Sequence, residues 1–318
     1  MKILFITANR VGDAVLTTGV LAWLADHYPD ARFTIACGPY GAALFRAVPR
    51  LDRLIVMRKK KANLHWVDLW KQCVGTRWDM IVDMRNSAVS RLLVAERKFF
   101  HSRGSGAHKI IDNAAVIALL LDGAPPPDPC IWLAADAAGA AETLVPAGPP
   151  VLALGPAANW PLKQWPVTSF IELVGELTAP GGAMSGARVM IVADGHERVQ
   201  IEPLLRAVPD DRRIEIIGRD LQTAAACLNR ARLYVGNDSG LMHLSAALGI
   251  PTLGLFGPGF PAVYGPWGKN CVCVTTPESR AELMARAPAI VTPQSTLMDT
   301  LSVARVAEAA QMLLNKTA

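Results

Sequence analysis

The stretch VGNDSGLMHLSAALGIPTLGLFGP, residues 235–258, contains the pattern that decides the fold. An apolar run ends in the polar segment GNDSG at 236–240, a helical apolar pattern follows, and TLGLF at 252–256 begins a second apolar run. A buried strand, a turn into a helix and a second buried strand form the βαβ unit of a parallel sheet. Such a turn lies at the carboxyl end of the strands, where open α/β sheets bind ligands.

The same alternation of apolar runs and helical patterns continues on both sides of this unit. The first half contains KILFIT, RFTIAC, RLIVM and MIVDM, and the second contains VLALG, RVMIVA, IEII and LYVGN. The proline-rich segment VPAGPP at 145–150 separates the two series. We therefore predict two doubly wound α/β domains, residues 1–147 and 148–318, that face a central cleft. The final segment, SVARVAEAAQMLLNK, predicts an amphipathic helix that packs back on either the first or the second domain.

Composition limits the class of protein. With 51% hydrophobic and 19% charged residues, the 318-residue chain can build packed cores. No apolar run reaches the roughly 20 residues that a membrane-spanning helix needs. The start, MKILFIT, leads directly into a strand without a signal-peptide pattern, and the six cysteines form no CxxC pair. We expect a cytoplasmic protein with reduced thiols.

The excess positive charge lies in the first half of the chain. Between residues 46 and 61, seven Lys and Arg residues are accompanied by only one acid, Asp52. Such a run is commonly a solvated basic loop. A nucleic-acid surface is the other interpretation, but the chain has no DNA or RNA motif, so we predict no nucleic-acid partner.

Two residue groups follow predicted strands and could take part in chemistry. Gly12 and Asp13, in TANRVGDAVL, follow the first strand. Asp13 could cap the next helix or act as a general base. The segment lacks the GxGxxG fingerprint of a dinucleotide site. In PAANWPLKQWP, residues 156–166, prolines and tryptophans surround Lys163. These neighbours would stiffen the loop and hold the ammonium towards an anion, although an ordinary surface lysine is the alternative.

The GNDSG segment predicts an anion site. A helix that begins near Ser239 or Gly240 presents free N–H groups to a phosphate, and the Ser239 hydroxyl adds a donor. Asp238 would repel a phosphate, so we expect it to cap the helix or to accept from a ribose or sugar hydroxyl. His243 falls in the first helical turn, near the same anion, or is a core histidine. The chain has no Asp-x-Asp, HExxH, GxSxG or Walker motif, so we predict neither a metal nor a cofactor.

Six segments together resemble glycosyltransferase family 9, the bacterial lipopolysaccharide heptosyltransferases. They are GDAVLTTGVLAWL, WDMIVDMRNS, PAANWPLKQWP, DGHER, GNDSGLMHLSAALGIPTLGLFGP and GPWG, in the family's order. The resemblance implies the GT-B fold, two Rossmann-like domains of which the first binds the acceptor and the second a nucleotide sugar. It also implies an inverting transfer without a metal, with ADP-heptose as the expected donor.

The resemblance assigns roles to individual residues. Asp13 matches the catalytic carboxylate and Lys163 the diphosphate-binding lysine, while Asp238, Ser239, Gly240 and His243 match the donor motif. Glu197, in DGHER, resembles a ribose-binding position. Ala157 and Gln164 depart from the glycine and arginine of many members, which would leave the phosphate loop with one charge fewer.

The basic first half fits an acidic, lipid-linked acceptor such as the inner core of lipopolysaccharide. The acceptor-binding residues that we predict are Gly12, Arg58, Lys59, Lys60 and Arg85. The same positive surface could contact the inner face of the cytoplasmic membrane peripherally. Two alternatives stay open: a nucleotide-sugar epimerase on the same fold, and a catalytically silent nucleotide-sugar-binding protein.

Overall fold

The structure, a computed structural model, describes residues 1–101 and 104–317. The chain divides into two compact units, Met1–Ala134 and Ala135–Ala318. This division lies before the proline-rich segment at 145–150, at which the sequence predicted a boundary. The reason is that the alanine-rich segment forms a helix, Ala135–Leu144, which packs against the helix Leu221–Leu228 of the second unit.

Within residues 1–101 and 104–134, five parallel strands form one sheet. These strands are β1 (Lys2–Ile6), β2 (Arg32–Cys37), β3 (Leu51–Val56), β4 (Trp78–Asp83) and β5 (Ala95–Phe100). The α-helices are α1 (Val11–Val15), α2 (Thr18–His27), α3 (His65–Cys73), α4 (Ala88–Leu92), α5 (Lys109–Ala114) and α6 (Ala118–Leu121). The strand order is β3-β2-β1-β4-β5, so the winding reverses between β1 and β4. The carboxyl ends of these two strands therefore flank the expected ligand crevice.

In the second unit, the described residues contain a sheet of six parallel strands. These strands are β6 (Val151–Gly155), β7 (Arg188–Ala193), β8 (Arg213–Ile217), β9 (Leu233–Asn237), β10 (Thr252–Phe256) and β11 (Cys271–Thr275). The α-helices are α7 (Ala135–Leu144), α8 (Val167–Thr178), α9 (Arg198–Ala207), α10 (Leu221–Leu228), α11 (Gly240–Ala247), α12 (Pro261–Tyr264), α13 (Arg280–Ala285) and α14 (Val303–Lys316). The order β11-β10-β9-β6-β7-β8 reverses between β6 and β9. The GNDSG segment lies at this reversal, as the sequence predicted.

The last helix belongs to the second unit. Val306, Ala310 and Leu313 of α14 are buried in the core formed by the sheet and α8. This packing answers the question that the sequence left open, because the apolar face of α14 covers the second sheet.

Two strands were missing from the sequence prediction. The strand β5, AERKFF, contains three charged residues. It is the last strand of the sheet, so its residues are exposed or half-buried and need not be apolar. The strand β11, CVCVT, is the corresponding edge of the second sheet and is mostly half-buried. Edge strands lack the continuous apolar run that identifies a central parallel strand.

Candidate active site

The crevice of the second sheet is built around a buried amide, Asn237, at the end of β9. Its Oδ1 accepts from the backbone N–H of Trp165 (2.9 Å), and its Nδ2 donates to the carbonyl of Pro156 (2.8 Å). Both partners belong to the loop that follows β6. Asn237 therefore fixes the loop that carries Lys163. Asn237 was not among the predicted site residues, although an amide at the end of a buried apolar run is a signal that the sequence contains.

The loop is also fixed by Trp165, which is only 1% exposed. Its indole N–H donates to the carbonyl of Leu301 (2.8 Å), and its ring packs edge-on against Phe170 with centroids 5.0 Å apart. Gln164, at a position where many family members have arginine, donates to the carbonyl of Ala158 (2.6 Å). These contacts support the prediction of a stiff loop, and they give Gln164 a structural partner inside it.

Lys163 ends a short 3-10 turn, Pro161–Lys163, and forms an ion pair with Asp238. The distance from Lys163 Nζ to Asp238 Oδ2 is 2.6 Å, and the side chains are 23% and 9% exposed. Gly259 leaves room for the carboxylate, because a Cβ at this position would stand 2.9 Å from Asp238 Oδ2. Of the two roles predicted for Asp238, capping the helix was wrong, since the N-cap of α11 is Ser239, and accepting from a ribose or sugar hydroxyl stays a prediction.

Helix α11 begins at Gly240, which confirms the predicted start of the helix at the mouth of the sheet. Ser239 does not use its side chain to cap the helix, and its buried Oγ has no hydrogen-bond partner within the described residues. His243 lies in the first turn and is 5% exposed, which favours the core-histidine interpretation. The first N–H groups of α11 and the Ser239 hydroxyl thus lie beside the Lys163–Asp238 pair.

Glu197 follows β7 at the same edge of the sheet. It closes a capping box, in which its Oε2 accepts from the backbone N–H of Asp194 (2.8 Å). Burial raises the pKa of its carboxyl group. The capping role explains an acid at this position, and ribose binding by Glu197 stays a prediction.

The crevice of the first sheet is organised by Asp83, which was not among the predicted site residues either. This carboxylate is fully buried at the end of β4. It accepts hydrogen bonds from the backbone N–H groups of Arg85 and Ser87 and from the hydroxyls of Ser87 and Ser90. Four donors on one carboxylate fix the turn from β4 into α4.

That turn positions Arg85, which is half-buried. Its guanidinium donates to Asn9 Oδ1 (3.1 Å) and lies 4.8 Å from the centroid of the Trp66 ring. Gly38 permits this arrangement, because a Cβ there would overlap Asn9. Burial lowers the pKa of Arg85, and nearby Asp83 opposes this effect. Arg85 is therefore a cation in a fixed position at the crevice.

Gly12 and Asp13 lie in α1, directly after the loop that follows β1, and both are half-buried. The N-cap of α1 is Arg10, so Asp13 occupies the first turn and not the cap position. A carboxylate at the carboxyl end of a central strand is placed for acid–base work on a bound ligand. The catalytic role of Asp13 stays a prediction.

Two of the other predicted acceptor residues line a cavity of about 430 Å³ between β3 and α3. Arg58 and Lys60 line it together with Lys71 and His65, and Lys60 forms an ion pair with Asp68 (2.7 Å). His65 is 5% exposed, and its Nδ1 has no hydrogen-bond partner in the described part of the chain. Burial lowers the pKa of His65, as do the positive charges of Arg85 and Lys59. The four predicted cations thus share one neighbourhood.

Residues 1–101 and 104–317 lack two further features. They contain no group of three His, Cys, Asp or Glu side chains arranged to hold a metal ion. No described helix combines the length and the apolarity needed to cross a bilayer.

Residues 86–290, nearly two thirds of the chain, match the sequence pattern of glycosyltransferase family 9 (heptosyltransferase). The chain belongs to glycosyltransferase family 9. The lipooligosaccharide heptosyltransferase 2 of Haemophilus influenzae is 24% identical over 310 residues, which cover 86% of this chain and 88% of that protein. The lipopolysaccharide heptosyltransferase 1 of Escherichia coli K12 is 32% identical over 128 residues, 39% of this chain and 38% of that protein.

Solved structures agree with this family 9 glycosyltransferase in fold. A glycosyl transferase family 9 protein from Veillonella parvula superimposes with a TM-score of 0.81 at 19% identity, covering 99% of this chain and 97% of that one. The E. coli heptosyltransferase WaaC, solved with ADP, gives 0.75 at 20% identity over the full length of both chains. The GT-B prediction is therefore confirmed. The matched region contains Lys163, Glu197 and the GNDSG segment, whereas Asp13 lies outside it.

Proposed function

We propose that this family 9 enzyme is an inverting, metal-independent heptosyltransferase that moves heptose from ADP-heptose to an acidic lipopolysaccharide core. The observation that carries the proposal is the Lys163–Asp238 pair beside the N-terminus of α11, at the winding reversal of the second sheet. A fixed ammonium next to free helix N–H groups suits a diphosphate. The related WaaC was solved once with ADP and once with ADP-2-deoxy-2-fluoro heptose.

The second unit would stabilise the leaving group. As the bond between the anomeric carbon and the diphosphate oxygen breaks, negative charge grows on ADP. That charge can be stabilised without rearrangement, because the loop and the helix are both fixed. The stabilising groups are Lys163 Nζ, the N–H groups at the start of α11 and the Ser239 hydroxyl. Asp238 holds the ammonium at the crevice and is available to a sugar hydroxyl once the phosphates share Lys163.

Asp13 of the first unit would be the general base. Its carboxylate takes the proton of an acceptor hydroxyl, whose oxygen attacks the anomeric carbon from the face opposite the departing ADP. One new C–O bond replaces the broken one, and the configuration at the anomeric carbon inverts. Gly12, next to Asp13, leaves space for the acceptor to approach.

The basic cavity of the first unit would hold the acceptor's acidic groups. Arg58 and Lys60 line it, Lys59 and Arg85 raise the positive potential at His65, and the His65 ring has a buried nitrogen that can bond a carboxylate or phosphate. Charge-assisted hydrogen bonds of this kind are strong and directional. The acceptor is thus an anion with a hydroxyl nucleophile, as in an inner-core sugar acid.

Helix α3 offers a surface for peripheral contact with the inner face of the cytoplasmic membrane. Its outward side carries four exposed apolar residues, Leu64, Val67, Trp70 and Val74, beside the exposed polar residues Lys71 and Gln72. Residues 58–77 carry six Lys and Arg against one Asp, which suits anionic headgroups. Vesicles with anionic lipid should co-sediment the protein, and binding equal to that of neutral vesicles would contradict this contact.

The test of the proposed reaction is Asp13→Asn, with ADP-heptose and a lipid-linked core acceptor. Turnover should fall about 100-fold or more, as expected for loss of a general base, while ADP affinity by calorimetry stays within about twofold. Asp26→Asn, an exposed acid on α2, is the matched control. Near-normal turnover of Asp13→Asn would show that another group is the base.

The same assay separates the alternative functions. An epimerase would interconvert free nucleotide sugars in the absence of an acceptor. A silent binding protein would bind ADP-heptose and release neither ADP nor product. Transfer that depends on the acceptor is the outcome that we expect.

A further inference from the structure

Tyr234, the second residue of β9, is fully buried and takes no part in the proposed reaction. Its hydroxyl lies over Gly155 and Gly236, which face each other across β6 and β9. A Cβ at either glycine would overlap the hydroxyl or the ring. Gly155 and Gly236 thus leave a slot in the central strands, and the phenol oxygen of Tyr234 fills it. The need for this slot explains why both positions are glycine.

The slot opens at the winding reversal, where the phosphate site was placed. Gly155 is the last residue of β6, and Gly236 precedes Asn237 and Asp238. Within the described residues, the buried Tyr234 Oη has no hydrogen-bond partner of good geometry, and the same is true of Ser239 Oγ. The two hydroxyls lie at the same end of β9, because the Tyr234 hydroxyl sits over Gly236 and Ser239 follows Gly236 by three residues. Burial raises the pKa of Tyr234, and the Ser239 hydroxyl opposes that rise. Tyr234 therefore remains a neutral O–H donor.

Two buried hydroxyls without good partners are costly unless something completes their hydrogen bonds. A bound phosphate would complete both. The Tyr234 O–H can donate to Ser239 Oγ, which leaves the Ser239 O–H directed at a phosphate oxygen over the first turn of α11. A phenylalanine at position 234 would not need this space, because the two glycines make room for the oxygen atom itself, so packing of the ring does not account for the hydroxyl.

We propose that Tyr234 is a positioning residue for the donor diphosphate and acts through Ser239. This inference rests on the proposed donor site at α11. Tyr234 touches no substrate; its hydroxyl selects the orientation of the Ser239 hydroxyl. Hydrogen bonds in a chain also polarise one another, so the Ser239 O–H becomes a better donor.

The test is a double-mutant cycle read by calorimetric titration with ADP and with adenosine. Tyr234→Phe should weaken ADP binding about 2- to 12-fold, the value of one neutral hydrogen bond, and should leave adenosine binding unchanged. In a Ser239→Ala background the same substitution should have no further effect on ADP, since the relay is already broken. Tyr40→Phe, at an exposed tyrosine of the first unit, is the matched control.

Three results would overturn the inference. Tyr234→Phe could bind ADP as the parent does, it could lose ADP and adenosine affinity equally, or its effect could add fully to that of Ser239→Ala. Each result would mean that Tyr234 only packs in the core and does not position the diphosphate. The proposed donor site would still be supported if Lys163→Ala and Ser239→Ala weaken ADP binding. If these two variants also bind ADP normally, the proposed donor site itself is wrong.

Discussion

The two sheets are wound in the same order, with one more strand in the second, but the polar groups at their winding reversals are satisfied in different ways. In the first sheet the buried carboxylate of Asp83 accepts four hydrogen bonds from its own turn. In the second sheet the buried hydroxyls of Tyr234 and Ser239 have no partner of good geometry within the described residues. One crevice is completed by the protein, whereas the other leaves hydrogen bonds for a ligand to make.

This difference separates scaffold from binding site. Because Asp83 is saturated internally, its charge fixes the β4–α4 turn and is not available to a substrate, so the proposed acceptor contacts fall to the cations around the crevice. In the second sheet the fixed framework is the amide of Asn237, and the groups beside it stay open. Buried polar atoms that lack partners are thus the better pointer to a ligand than buried charge itself.

Substitution of Asp83 is the most direct test of this difference between the two sheets. Asp83→Ala removes the acceptor of four hydrogen bonds and leaves two buried serine hydroxyls and two N–H groups without it. We expect a loss of about 3 to 5 kcal/mol in the free energy of unfolding, the range for breaking a buried charged network. Urea unfolding monitored by circular dichroism measures it, with the exposed Asp52→Ala as control. A loss below about 1 kcal/mol would contradict the scaffold role.

Lys163 tests the other side of the comparison. Lys163→Ala should weaken ADP binding about 10- to 150-fold, because it removes a charge-assisted hydrogen bond worth roughly 1.5 to 3 kcal/mol. Adenosine, which has no phosphate, should bind the parent and the variant alike. Lys269→Ala, an exposed lysine of the same unit, should change neither affinity. An unchanged ADP affinity in Lys163→Ala would mean that its ammonium serves only to pair with Asp238.

A smaller effect should come from the glycine slot. Gly155→Ala places a methyl group against the Tyr234 hydroxyl and should cost about 1 to 3 kcal/mol of stability, as overpacking does. Tyr234→Phe removes the atom in closest contact, so it should recover part of that loss when the two changes are combined. Thermal unfolding of both single variants and the double variant gives the coupling energy. Additive costs would show that the hydroxyl does not fill the slot.

The sequence predicted the parts of the molecule that depend on local pattern. Apolar runs before turns identified the central strands, and GNDSG before a helical pattern located the start of α11. The pairing of Lys163 with Asp238 was not predictable, because 75 residues separate them and only the neighbouring positions of β6 and β9 bring them together. The same holds for Tyr234, whose role depends on Gly155 across the sheet.

The least change is expected from removal of divalent cations. In the proposed donor site the positive charge facing the diphosphate would come from Lys163 and the N-terminus of α11, which Asn237 and the strand end hold in place. A magnesium ion would duplicate that charge, and no metal-bound group would be needed to stabilise the transition state. Excess EDTA should therefore alter turnover less than about twofold.

The assay is ADP release with ADP-heptose and a core acceptor, and EDTA saturated with magnesium serves as the control for the chelator itself. A tenfold loss that magnesium or manganese restores would show that the protein's own cations do not suffice. The second crevice would then need both a ligand and a metal to complete it, and its contrast with the internally satisfied first crevice would be greater than the structure alone indicates.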